Sequence, residues 1–480
     1  MKSLNVSGKL VLLVVFFLGC QVNFAQKVEL IYTTASKRWV KPKKFLQKAD
    51  ATSVNDIIIY TDSLLQVVDG IGGAFNELGW EAIKSLDESG EQEVANALFS
   101  KDGCNFSMCR IPIGASDYAL SYYSHNDVPG DFVMRDFNID RDRYILIPYL
   151  KEALKVRPNL QIWASPWTPP AWMKVNEHYS LRAGDWNDRA NGNRMDPGAQ
   201  ILSNATAFKM QDQYLKAYAL YFSKFIQAYK KEGIELFSIQ PQNEIAYAPN
   251  WPSCTWRAED FSIFIGDYLG PKLKEDGLDT EIWLGTINWS KPSYVRTILD
   301  NKKAAEYIKG VGFQWGGSKA IPAINKEYPD LKYMQTENKC GEGENDWTSF
   351  DRSWETLVHF FNNGAGSHMY WNMVLDETGK SAWGWPQNSM VVIDKQTKKI
   401  TYTDEFYLFK HLSHFVQPGD HFLKSSEGKN HLAFQLKDGR IMVLVNNPDE
   451  TIKNIKFKVG NQTFVVEVQA TSVNTLIINK

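Results

Sequence analysis

Eight times between residues 67 and 416, a short apolar run gives way to a helical stretch. The runs are Val67–Gly72, Asn105–Ile111, Leu160–Ser165, Glu235–Gln240, Glu281–Thr286, Gly310–Trp315, Leu331–Thr336 and Ser367–Met373. They are apolar without clean alternation, the pattern of strands covered on both faces. Apolar residues at three-to-four spacing predict helices over Trp80–Phe99, Arg141–Val156, Ala207–Glu232 and Arg257–Glu275, with a last one over Asp404–Phe415. Eight strand–helix units over this length predict an α/β fold, a parallel (β/α)8 TIM barrel spanning 67–416.

The chain ends read differently. VELIYTT and IIIYTDSLLQVV, within residues 27–68, are strand-like, and after Pro418 the helical pattern stops. HLAFQLKDG, RIMVLVNN, IKNIKFKVG, QTFVVEVQA and SVNTLIINK follow, separated by turn signals such as Asp438-Gly439 and Asn447-Pro448. The N-terminal strands have no partners of their own. The expectation is a β-sandwich built from both chain ends, residues 26–66 and 417–480.

Before these strands, Lys2 and Lys9 flank the start of an 11-residue apolar run, Leu10–Cys20. It is too short for a bilayer and suits the hydrophobic part of a signal peptide covering residues 1–25, cleaved after Ala25. Leu18-Gly19-Cys20 allows a second reading, a lipid anchor on Cys20. Either one predicts export, to the periplasm, the medium or the cell surface. No later segment reaches the length of a membrane span. Cys104, Cys109, Cys254 and Cys340 are scattered, which argues against a metal or redox motif and leaves any disulfide unassigned. His411 and His414 lack a third ligand nearby, so a structural role is expected for both. No metal or cofactor is expected, and an oligomeric state is not readable.

Charge excludes a basic nucleic-acid binder: 53 Lys and Arg face 55 Asp and Glu, a net charge of −2. The aromatic content is high, with 16 Trp, 21 Tyr and 26 Phe. Indole faces stack on the apolar faces of sugars, although a large aromatic core would read the same way. Position discriminates between the two. Barrel active sites lie at the C-terminal ends of the strands. Strand four ends in Ser238–Glu244 and strand seven in Tyr333–Glu337, each with a glutamate just past the strand. Strands four and seven are roughly opposite across the mouth, so both carboxylates can face one cavity. Glycoside hydrolysis needs such a pair, one protonated and one ionised. Asn243 can hold a sugar hydroxyl beside Glu244, and Thr336 and Asn338 flank Glu337, which assigns Glu244 as acid/base and Glu337 as nucleophile. Trp167 or Trp172 at the end of strand three, Trp315 at the end of strand six and Trp371 at the end of strand eight are candidates for a sugar-binding floor. Arg110 on strand two either orients a catalytic carboxylate or makes an ordinary buried ion pair. Gly70, Gly72 and Gly73 lack phosphate-loop spacing and read as a tight turn after strand one.

The motifs DGIGGAFNE, CRIPIGASDY, ASPWTPPAWMK, SIQPQNE, QTEN and YWNMVLDE resemble those of glycoside hydrolase family 30, from about Val28 to the C-terminus. The resemblance implies a barrel fused to a β-sandwich and retaining hydrolysis with Glu244 as acid/base and Glu337 as nucleophile. It also implies that Asp117, Trp167, Asn243 and Trp371 contact the sugar whose bond is cleaved. Many members carry His-Trp where this chain has Gln314-Trp315. WGWPQNSMVVID (Trp383–Asp394) is closer to the bacterial β-1,6-glucanase branch than to lysosomal glucosylceramidases. An endo-β-1,6-glucanase is therefore expected. Exo-acting glucosidase, glucosylceramidase, fucosidase or xylosidase activity is the alternative within the class. A catalytically silent carbohydrate-binding protein is the alternative outside it, and it predicts loss of one carboxylate. No G-x-S-x-G or H-E-x-x-H motif supports a serine or zinc hydrolase.

Overall fold

The computed structural model describes residues 28–47, 56–184 and 193–479. The targeting segment 1–25, Cys20 and the middle of the insertion Asn176–Ser203 lie outside the described residues.

Eight parallel strands close into a barrel in chain order, the eighth pairing with the first. They are Gly70–Ala74, Met108–Pro112, Gln161–Ser165, Leu236–Ile239, Glu281–Ile287, Ile308–Gln314, Lys332–Glu337 and Ser367–Asn372. Each expected run overlaps one of them. Met108, Trp163, Trp283, Met334 and Met369 form a buried cluster contributed by five of these strands. The barrel is thus a packed core with its chemistry displaced to the rim.

The glycines of the first unit were expected in a turn; they form the first strand itself. A Cβ on Gly72 would lie 1.9 Å from the Met108 carbonyl oxygen, and one on Gly73 would lie 2.4 Å from Met373 Cγ. Close approach of neighbouring backbone and side chains, not turn geometry, requires glycine there. Val67, expected at the start of this strand, ends an antiparallel strand of the terminal sheet instead.

Two expected helices are broken. Trp80–Phe99 divides into Glu77–Ile83 and Glu88–Phe99, the second capped by the Asp87 carboxylate. Arg141–Val156 divides at Ile145 into Asp140–Tyr144 and Leu146–Val156. Apolar spacing continues through both breaks, so periodicity alone does not register them. Ala207–Glu232 shortens to Asp212–Lys231, and Arg257–Glu275 is helical throughout but carries a π turn at Phe264–Leu269.

The chain ends build a nine-stranded sheet. In spatial order its strands are Val28–Thr34, Ser472–Ile478, Ile441–Asn447, His431–Gln435, His421–Ser425, Ile57–Val67, Lys453–Val459, Gln462–Val468 and Leu46–Gln47. Leu30, Ile57, Val443, Val466 and Leu476, drawn from both halves of that order, share one apolar core. The sheet therefore curls over itself in a sandwich-like layer. Strand His421–Ser425 and a small sheet of Val374–Asp376, Val391–Ile393 and Ile400–Tyr402 are too short for the sequence pattern to reveal.

His411, on the helix Asp404–Ser413, joins barrel to sheet. Its Nδ1 lies 2.8 Å from Thr475 Oγ1 and its Nε2 lies 2.9 Å from Thr33 Oγ1. His414 Nδ1 instead meets the Gly103 carbonyl. Cys104, Cys109, Cys254 and Cys340 are buried and unpaired. Among the described residues no helix is long and apolar enough to cross a membrane.

Candidate active site

Arg110 is the hub of the barrel mouth. It sits on the second strand with its side chain fully buried. Its Nη1 donates to Glu337 Oε2 at 2.9 Å, its Nη2 to Asn243 Oδ1 at 2.6 Å, and both Nε and Nη2 to Ser165 Oγ. The guanidinium also lies 4.3 Å from the Trp167 ring centre and 5.4 Å from that of Trp371. One cation thus touches strands two, three and seven and the loop after strand four. Both readings of Arg110 hold at once: it is half of a buried ion pair, and it aims the carboxylate it pairs with.

Glu337 ends the seventh strand and is 8% exposed. Besides Arg110, its Oε1 accepts from Trp315 Nε1 at 3.0 Å and its Oε2 from Gln314 Nε2 at 3.3 Å. Burial raises its carboxyl above the ordinary range, opposed by Arg110, Trp315 and Gln314. These donors favour the carboxylate.

Glu244 stands in the loop after strand four with φ of 47°. Backbone in this left-handed region costs a non-glycine residue energy and is held by its surroundings. Here the Glu244 N–H donates to Thr286 Oγ1 at 3.0 Å, and the same hydroxyl donates to Asn243 Oδ1 at 3.0 Å. Thr286 ends the fifth strand, so it places both loop residues. Gln242 adds bonds to the Trp167 and Asn243 carbonyls, and the Asn243 N–H meets the Pro166 carbonyl. Burial, then the negative charges of Glu337 and Asp117, push the Glu244 carboxyl up to about 8. At neutral pH Glu244 therefore keeps its proton.

Asn243 Oδ1 accepts from Arg110, Thr286 and Gln314. Three donors on the oxygen fix the amide and turn its NH2 away from them. Asp117 Oδ1 and Trp371 Nε1 are buried without a hydrogen-bond partner among the described residues. Burial and the charge of Glu337 hold the Asp117 carboxyl well above the ordinary range. Trp167 and Trp371 pack with ring centres 5.0 Å apart. An acceptor, a donor and two indoles therefore surround the two glutamates, a lining suited to a polyhydroxylated ring.

Trp315 is 40% exposed and has φ of 47°. Expected at the end of strand six, it stands directly after that strand and opens the turn Trp315–Lys319. That bend brings its indole back onto Glu337. Trp172 stands apart from this group. Its Nε1 bonds to the Asn126 carbonyl and its ring packs on Phe132 and Tyr214. Sequence reading missed Thr286 and the bridging role of Gln314. A lone threonine or glutamine at a strand end carries no signal until its neighbours are known.

Residues 68–416 match the glycosyl hydrolase family 30 TIM-barrel domain. The chain is 28% identical to putative glucosylceramidase 3 of Caenorhabditis elegans, over 79% of this chain and 72% of that protein. It is 27% identical to the endo-1,6-beta-D-glucanase neg1 of Aspergillus fumigatus, over 83% and 80%. A solved endo-beta1,6-glucanase superposes with a TM-score of 0.79 at 26% identity, covering 94% of this chain and all of that one. The closed barrel, the terminal sheet and the match over the barrel agree: the chain belongs to glycosyl hydrolase family 30, a family of retaining glycosidases.

Proposed function

We propose that the protein is an exported β-glucan hydrolase that cleaves β-1,6 linkages within the chain, with Glu337 as nucleophile and Glu244 as acid/base. One observation carries the assignment of roles. Arg110, Trp315 and Gln314 all donate to Glu337, whereas burial and neighbouring negative charge keep Glu244 protonated. In the first step the Glu337 carboxylate attacks the anomeric carbon, the glycosidic C–O bond breaks, and Glu244 gives its proton to the leaving oxygen. In the second step Glu244 takes a proton from water. The water oxygen attacks the anomeric carbon and Glu337 leaves as carboxylate. The Asn243 NH2, Asp117, Trp167 and Trp371 hold the hydroxyls and face of the reacting sugar.

The β-1,6-glucan reading draws on the Trp383–Asp394 motif and on the fungal and solved endo-1,6-glucanase relatives. The nematode relatives favour a second reading, exo-acting hydrolysis of a glucosylated lipid. Export rests on the apolar run Leu10–Cys20. Product profiling on β-1,6-glucan, β-1,3-glucan, xylan, glucosylceramide and aryl β-glycosides separates these readings, with Glu337→Gln as the blank. A ladder of oligosaccharides from β-1,6-glucan is expected. Monosaccharide release with the polymer untouched would move the assignment to an exo-glycosidase.

A further inference from the structure

Six aromatic rings from four loops form a row along the barrel mouth, and the reaction described above uses none of them. Tyr179, in the insertion after strand three, stacks on Tyr122, after strand two, at 5.1 Å and 3°. Tyr122 meets Trp383 at 5.2 Å, and Trp383 lies 6.4 Å from Trp385, both after strand eight. Trp385 meets Trp251 at 4.9 Å, and Trp251 meets Tyr247 at 5.7 Å, both after strand four. The row is buried at its middle, with Trp383 3% exposed; from there it opens outward through half-buried Trp385 and Trp251 to Tyr247, 42% exposed.

Both ends of the open stretch are rooted in the reaction centre. The Tyr247 N–H donates to the Glu244 carbonyl at 3.1 Å, so this end lies one turn from the acid/base. On the other side Gln387 Oε1, two residues past Trp385, accepts from Asn372, the neighbour of Trp371. Glu244 delivers its proton to the departing oxygen, so the surface continuing from its loop receives the departing part of the substrate. No ring in the row is a phenylalanine. Each is an indole or a phenol, with an apolar face and a polar edge, which suits sugar units better than acyl chains. The row also gives the WGW motif a place that catalysis alone does not.

Resting on the β-glucan reading above, we infer that Trp385, Trp251 and Tyr247 form a stacking ledge for the sugar units on the leaving-group side of the cleaved bond. The enzyme therefore recognises a chain of sugars on both sides of that bond. Two substrates isolate the ledge. β-1,6-Gluco-oligosaccharides place sugars on it, whereas β-D-glucosyl fluoride transfers its glucosyl group to the enzyme and releases only a fluoride ion, which needs no such surface. Trp385→Ala and Trp251→Ala should each lower kcat/KM on the oligosaccharides roughly tenfold, chiefly through KM. Both should leave glucosyl fluoride turnover within about twofold, which also reports that the variants fold. Trp385→Phe should recover most of the loss, since it keeps a ring. Unchanged oligosaccharide kinetics, or equal losses on both substrates, would overturn the ledge. So would a loss confined to glucosylceramide in mixed micelles, which would make the row a lipid surface. The wild type is assayed first. If it turns over glucosyl fluoride but no β-1,6-glucan, the function proposed above fails and takes the ledge with it; an active wild type with indifferent variants refutes the ledge alone.

Discussion

In the reaction proposed above, Glu244 and Glu337 are the same side chain put to opposite uses by their surroundings. The proposed acid, Glu244, acts while protonated, and its carboxyl is raised to about 8. The sign follows directly: kcat/KM should hold up to about pH 8 and then fall about tenfold per pH unit as the proton is lost. Glu244→Ala, assayed on an aryl glycoside whose leaving group needs no proton, should lose that alkaline limb. An unchanged limb would place the titration elsewhere. The proposed nucleophile, Glu337, acts while ionised, and the Trp315 Nε1 hydrogen bond stabilises that form. Trp315→Phe should therefore shift the acid limb to higher pH and lower kcat roughly tenfold; a shift to lower pH would contradict the role given to this indole. Both glutamates could be picked out because each lies at or just past the end of a strand in a chain whose strand count could be read. Gln314 was visible only as a departure from a family pattern. What it does depends on Asn243 and Glu337 converging on one amide, which no local pattern encodes.

At the scale of elements, the loops after strands three and four are locked to the end of strand five. Thr286 carries that lock with one hydroxyl, which accepts from the Glu244 N–H and donates to Asn243. Thr286→Val keeps the shape and removes both bonds. It leaves a backbone donor beside the active site without its acceptor, a cost of about 1–3 kcal/mol. The expected outcome is a kcat roughly tenfold lower, with KM for an aryl glycoside little changed and thermal unfolding still cooperative. A KM effect alone would mean that Thr286 serves binding rather than the placing of Glu244. The strands after the first were readable because burial on both faces leaves a continuous apolar run. The glycine-built first strand was misread because its residues carry turn chemistry for a packing reason, seen in the 1.9 Å approach of a Gly72 Cβ to Met108. The helix breaks at residues 84–87 and 145 escaped because apolar spacing runs through both, although the Asp87 cap at the first is a local signal.

For the whole molecule, the seam between barrel and sheet contributes to the acid sensitivity, beside the equally buried His368 of the barrel. His411 is buried between Thr33 and Thr475, and burial lowers its pKa to about 3. An unfolded histidine titrates near 6.5. Below that pH the unfolded chain binds a proton that the folded one refuses, so stability falls as pH drops from about 6.5 towards 3. The slope is about 1.4 kcal/mol per pH unit, or about 2 kcal/mol by pH 5. Urea unfolding at pH 7 and pH 5 should show it, and His411→Gln should remove this part of the difference. An identical pH dependence in the variant would refute the assignment. The two-part architecture was legible, since strand-rich ends enclose helix-rich middle units. The curl of nine strands into one hydrogen-bonded sheet was not, because register between strands hundreds of residues apart leaves no local mark. That sheet has a consequence for how the chain comes into being. Val28–Thr34 pairs along its whole length with Ser472–Ile478. Val28–Thr34 must therefore wait, through the synthesis of the whole barrel, for Ser472–Ile478, and the contacts that close this edge of the sheet join distant parts of the chain.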